Sequence, residues 1–136
     1  MPQMREMDGA MKIGLSDRHL LKMRRSVAFK IFKGKCLFCK RTGPLEDHHY
    51  VKRKILLLRY SWRNSILVCK YGCHEYAETP EGKHKIDQWI APHRQYLQER
   101  SIPAKQWFVE HGISRKDYLT EMYYELKEIL DGKRIP

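Results

Sequence analysis

Two close pairs of cysteines constrain this chain more than any other feature. Cys36 and Cys39 enclose two residues, Cys69 and Cys73 enclose three, and 29 residues separate the pairs. Two tight turns of this kind each present two thiolates to one tetrahedral ion. Zn²⁺ suits such soft sulfur ligands and has no redox chemistry of its own. Four sulfurs fill its coordination sphere, so the expected zinc is structural. It would pin a strand pair to the start of the following helix and contribute folding energy directly. The competing reading is free or disulfide-bonded thiols. It is disfavoured because the first residues, MPQMREMDGAMKIG, carry no apolar core of the signal-peptide type, and disulfides belong mainly to exported chains.

The 136 residues fit one domain, or one domain with an arm. Lys and Arg exceed Asp and Glu by 11. That excess is unevenly placed: +7 over residues 1–40, +3 over 41–80 and +1 over 81–136. A basic half of this kind suits a polyphosphate partner, because each neutralised phosphate releases counterions. Nucleic acid is the expected partner class. A membrane is not, since no apolar run approaches the ~18 residues of a spanning helix.

Periodicity divides the chain into a loose arm, 1–15, a central unit, 16–82, and a helical extension, 83–136. Ser16 can cap a helix running to about Lys33, with Leu20, Met23, Val27 and Ile31 as its buried stripe. Arg24, Arg25, Lys30 and Lys33 are expected mostly off that stripe, and Gly34 is expected to stop the helix. Thr42-Gly43-Pro44 marks a turn before a strand over 45–51. Residues 52–63 read as a basic loop anchored by Leu56, Leu57 and Leu58. A second strand covers 65–68, and a short helix starts near Cys73. Ile86, Trp89, Ile90, Tyr96 and Leu97 suggest a helix interrupted at Pro92. Ser101 with Pro103, then Ser114 with Asp117, mark two further helix starts. The last helix buries Tyr118, Met122, Leu126 and Ile129.

Between the cysteine pairs lies Glu46-Asp47-His48-His49, followed by Asn64, with His74 directly after Cys73 and Glu78 one helical turn beyond it. The segments LEDHHYVKR (45–53), NSILVC (64–69) and Cys73-His74 resemble the HNH endonucleases of the ββα-metal type. In that family a His-bearing strand, a central Asn and a His on a short helix form one site, and many members add a four-cysteine zinc clamp. The resemblance covers about residues 36–78. Arg59-Tyr60 with Asn64 and Trp89 also look like small phage-encoded HNH proteins linked to recombination or DNA packaging.

The resemblance implies an α+β chain: a ββα-metal core with a structural four-cysteine zinc, an N-terminal helix and a C-terminal helical extension. It implies a nuclease that hydrolyses DNA phosphodiester bonds by nicking or double-strand cleavage. His49 falls on the general base, His48 and His74 on ligands of a catalytic divalent ion, and Asn64 on the residue that holds the base or its loop. Glu78 stands where some members have a further His, and a carboxylate there can still bind a hard cation. A second frame, with Asp47 as ligand and His48 as base, stays open. The His48 and His49 frame is preferred because Tyr50-Val51 matches the family's apolar pair. The working metal, Mg²⁺, Mn²⁺, Ni²⁺ or Zn²⁺, is left open. The absence of an export signal makes the cytoplasm the expected compartment, and the resemblance makes the cell a bacterial or phage-infected one.

Independently of the resemblance, a neutral imidazole near its ordinary pKa can accept a proton from water. Lys52, Arg53, Lys54, Arg59 and Arg63 are the expected phosphate contacts, with Arg59 and Arg63 foremost. Tyr60 and Trp62 read either as base-stacking or as core residues. The 104–119 segment superficially resembles a helix-turn-helix, but a nearly neutral tail favours two helices packed on the core. Beside hydrolysis stand two alternatives: a non-catalytic zinc module that binds DNA or RNA, and a recombination or packaging accessory. Further protein contacts would be a second copy of the chain or a phage recombination protein.

Overall fold

The computed structural model describes residues 15–136. The expected arm therefore lies outside the described residues, apart from Leu15. The fold is α+β, with seven α-helices and one two-stranded antiparallel sheet among the described residues.

Helix α1, Asp17–Ile31, starts where Ser16 caps it, with Ser16 Oγ accepting from His19 N at 3.1 Å. Leu20, Met23, Val27 and Ala28 are buried along one face. Arg24 is buried with them, at 0% exposure, contrary to the expectation that it lies off the stripe. It stands one turn after Leu20, so its Cβ belongs to the apolar face. The chain leaves α1 through Lys33 and Gly34, both with left-handed φ, 56° and 66°.

Strand β1, Leu45–His49, pairs with β2, Ser65–Cys69, in the register Leu45↔Cys69 to His49↔Ser65. Every residue of β2 is buried. Between the strands come a short helix α2, Leu56–Arg59, and a 3₁₀ turn, Trp62–Asn64. β1 stops two residues before its expected end, because the Tyr50 N–H is taken by the Asn64 carbonyl at 3.0 Å and the chain turns away. Helix α3, Cys73–Tyr76, follows β2 directly. Gly72 precedes it with φ 89°, a conformation that side-chain-bearing residues rarely adopt.

Helix α4, Pro80–Ile90, is capped by Thr79 and gives way at Pro92 to a 3₁₀ turn and then to α5, Arg94–Glu99. Helix α6, Ala104–His111, ends at Gly112 in the left-handed region (φ 58°). Pro103, not Ser101, holds the cap position of α6. The Ser101 hydroxyl instead donates back to Leu97 O at 2.7 Å. Helix α7, Arg115–Leu130, is capped by Ser114, whose Oγ accepts from Asp117 N at 3.0 Å.

A two-stranded hairpin is marginal by itself, and here it is enclosed by side chains. Leu45, Ile66, Leu67 and Val68 pack with Phe32, Leu58, Ala77, Ile86, Ile90 and Leu97. The tail packs onto α1 and α2 through Trp107, Tyr118, Leu119 and Met122 against Leu20, Leu57 and Tyr60. Leu126 and Ile129 join Met23, Val27 and Trp62. The tail therefore completes the core, as two packed helices would. No described helix is long and apolar enough to cross a membrane.

Candidate metal centres

The hairpin brings the two cysteine pairs together. The Sγ atoms of Cys36, Cys39, Cys69 and Cys73 all lie within 4.8 Å of one another. All four are free thiols, and Cys39 Sγ stands 3.1 Å from Cys69 Sγ. A tetrahedral zinc site with bonds of about 2.3 Å sets sulfur–sulfur spacings near 3.8 Å, which falls between the 3.1 Å approach and the 4.8 Å limit of this cluster. The turn at the first pair is shaped for it. Phe38 N–H donates to Cys36 Sγ at 3.4 Å, and Lys40 adopts φ 64° to close the loop. The thiols are electrostatically graded. A hydrogen bond from Cys69 lowers Cys39 to about 7. Burial pushes Cys73 up to about 11, and the hydrogen bond to Cys39 also pushes Cys69 up. Four thiolates this close cannot all ionise without a cation between them, and a metal ion such as zinc would supply it.

A second cluster lies on the other side of the strand. Alternation along β1 sends Leu45, Asp47 and His49 to one face and Glu46 and His48 to the other. Glu46, His48 and His74 offer three ligand atoms within 4.8 Å of one another, with a direct contact between Glu46 Oε1 and His74 Nδ1. Glu78 Oε1 stands 3.8 Å from His48 Nε2. The expected pairing of His48 with His74 is present in space. Glu46 joins them without having been singled out as a ligand, although its i, i+2 spacing from His48 on a strand is a readable signal. Two imidazoles and a carboxylate suit a borderline divalent cation and leave coordination positions open. A cavity of about 410 Å³ opens beside this cluster, lined among others by His48, His49, Lys52, Glu78 and Lys83.

On the opposite face, Arg24 organises a buried polar network. Its Nε donates to Ser61 O at 3.1 Å and its NH2 to Asn64 O at 2.9 Å. NH2 also stands 3.4 Å from Asp47 Oδ1. Asp47 is thereby drawn away from Glu46 and His48, and the structure does not bring it to the ligand cluster. Burial raises the Asp47 carboxyl and Arg24 counters that rise. Burial likewise brings Arg24 down to about 10, still charged at neutral pH.

Arg24 NH1 also meets His49 Nε2. A guanidinium only donates, so Nε2 is the accepting nitrogen and the Arg59 carbonyl, 3.2 Å from it, is served by Arg24 NH1 at 3.3 Å. Burial first, and then the Arg24 charge, lowers His49 to about 4. The ring is therefore neutral, but it does not keep the ordinary pKa expected for it. Nothing in the sequence marked Arg24 as the partner of this histidine.

Asn64 is fully buried. Its Oδ1 accepts from Val51 N at 2.6 Å, and its Nδ2 donates to Val51 O at 2.9 Å and Leu58 O at 3.2 Å. It thus fixes the backbone two residues beyond His49 to the start of β2. The basic residues between them divide. Lys52 faces the cavity, and Lys54 is exposed. Arg53 pairs with Asp17 at 3.3 Å, and Arg59 sits 3.7 Å from the same carboxylate. Arg63 is bonded to Glu125 at 2.9 Å, with its guanidinium 4.4 Å from the ring centroids of both Trp62 and Tyr96. Arg63 is therefore a packing cation in this arrangement, not a free phosphate contact. Tyr60 and Trp62 are core residues, 2% and 8% exposed.

Comparison with protein families, curated proteins and solved structures finds no match for this chain.

Proposed function

We propose that the chain is a metal-dependent endonuclease of the HNH type that hydrolyses DNA phosphodiester bonds. The observation that carries this reading is the convergence of Glu46, His48 and His74 beside a cavity lined by Lys52 and Lys83. Hydrolysis of a phosphodiester needs charge stabilisation at the phosphate and at the departing oxygen, and a divalent ion supplies both when bound. His48, His74 and Glu46 are its assigned holders, with Glu78 within reach of His48. Lys52 and Lys83 draw the phosphate chain to the cavity. Asn64 holds the 51–58 loop, which brings Lys52 to the cavity. His49 is assigned as the base. To act at Nε2 it must be released by Arg24, which keeps Ser61 O, Asn64 O and Asp47 as partners when it lets go.

That engaged lone pair favours a second reading, a zinc-stabilised module that binds DNA or RNA without cutting it. Incubation of zinc-loaded protein with supercoiled plasmid and added Mg²⁺, Mn²⁺ or Ni²⁺ separates the two. Nicked product that disappears in His48→Ala and His74→Ala supports hydrolysis. Intact plasmid with every metal supports the binding module.

A further inference from the structure

The zinc-clamp end of the molecule carries a cationic surface that neither candidate metal centre uses. The 3.1 Å approach of Cys39 to Cys69 brings the residues that follow each of them to one place: Lys40 and Arg41 from the first turn, Lys70 and Tyr71 from the second. Lys70 is held there by its N–H bond to Pro44 O, 2.9 Å. Lys40 also lines a pocket of about 220 Å³ with Lys33, Lys35 and Trp89. The same lysine thus joins the clamp tip to the pocket. Lys33, Lys35, Lys40, Arg41 and Lys70 are all exposed, and none of them forms an ion pair among the described residues. No acidic residue occurs from Lys33 to Pro44 or from Lys70 to Gly72.

Two aromatic side chains stand among these charges. Tyr71 is 74% exposed and Trp89 41% exposed. Trp62 and Trp107 are buried, so Trp89 is the surface tryptophan of the chain. It is backed by Phe32, ring centroids 4.8 Å apart, which fixes its plane at the pocket. Alternating cations and fixed, exposed rings is the chemistry that holds unpaired nucleotides: charge tracks the backbone while each base stacks on a π-face. A pocket of this size is smaller than the ~300–1,000 Å³ typical of small-molecule sites, and suits one flat ring.

We propose that this face binds a single-stranded or unpaired stretch of nucleic acid, with Lys40, Arg41 and Lys70 on phosphates and Tyr71 and Trp89 under bases. The site is separate from the Glu46–His48–His74 cluster, so it stands whether or not that cluster cuts.

The test is fluorescence anisotropy of the full chain with a labelled oligo-dT at several salt concentrations, without added divalent metal. Lys40→Glu/Lys70→Glu is expected to weaken binding at least tenfold. Loss of two phosphate contacts should reduce the salt slope by about 1.4. Tyr71→Ala, a substitution at an open surface, should weaken binding about tenfold at unchanged slope, and Trp89 emission should be quenched on titration. Binding is read without added divalent metal and without cleavage, so failure of the hydrolytic reading leaves this result intact. Unchanged affinity and slope in the charge-reversed variant would overturn the proposal. So would equal preference for blunt duplex, or binding to phosphatidylglycerol vesicles that oligo-dT does not displace.

Discussion

The guanidinium of Arg24, fully buried on α1, donates to Nε2 of His49 at the end of β1. One helix residue thereby adds to burial in keeping neutral a histidine that lines the candidate active cavity, and it also donates to the Ser61 and Asn64 carbonyls. Arg24→Met removes the donor while keeping an apolar stem. It leaves Asp47 and those carbonyls uncompensated, so the stability loss should be on the order of 3–5 kcal/mol. Chemical denaturation measures it. In whatever folded fraction remains, NMR titration should show the His49 pKa raised above its present value of about 4. A variant of wild-type stability with His49 unmoved contradicts the network.

Acid should weaken the fold through the same histidine. His49 titrates near 4 when folded and near 6.5 when unfolded. Between those values the unfolded chain binds more protons, so stability rises with pH across that window. The expected result is a Tm that falls as pH drops from 7 toward 4, and falls less in His49→Gln. Parallel curves for the two proteins would mean that the histidine is not held neutral by folding.

Asn64 offers a test of loop anchoring. Asn64→Ala leaves Val51 N, Val51 O and Leu58 O without their buried partner. The cost should be about 2–3 kcal/mol, and hydrogen exchange should accelerate at the Val51 amide first. Exchange at Val51 that matches the wild type would show the loop to be held by other contacts.

The clamp should bind one zinc per chain. Cys36→Ser and Cys69→Ser each remove a buried ligand and should lower zinc content, measured by atomic emission, together with thermal stability. Chelator treatment of the wild type should reproduce that loss. Full zinc content in either variant would exclude a four-sulfur site.

What the sequence reveals about this molecule is what repeats at a fixed interval. The cysteine spacing foretells the sulfur cluster, and Ser16 and Ser114 mark the helix starts because a hydroxyl before an apolar period satisfies orphan amides. Leu20, Met23 and Val27 are legible as a stripe for the same reason. Arg24 is not, because a charged residue reads as solvent-facing until its acceptors, which lie 25 to 40 residues away in the chain, are folded around it. The same holds for Arg63, whose partners Glu125 and Tyr96 come from distant helices. Glu46 lay in plain view within its motif. It becomes a ligand candidate only when the pairing of β1 with β2 fixes which strand face meets His74.

The central claim is that the Glu46, His48 and His74 cluster holds a divalent ion that cuts DNA. The direct measurement is nicking of supercoiled plasmid by zinc-loaded protein across a Mg²⁺, Mn²⁺ and Ni²⁺ series, with zinc counted in every sample. Wild type should nick with at least one of these metals, and His74→Ala should fall at least a hundredfold while retaining one zinc per chain and its Tm. Plasmid that stays intact with every metal, or His74→Ala that nicks as fast as wild type, would contradict it.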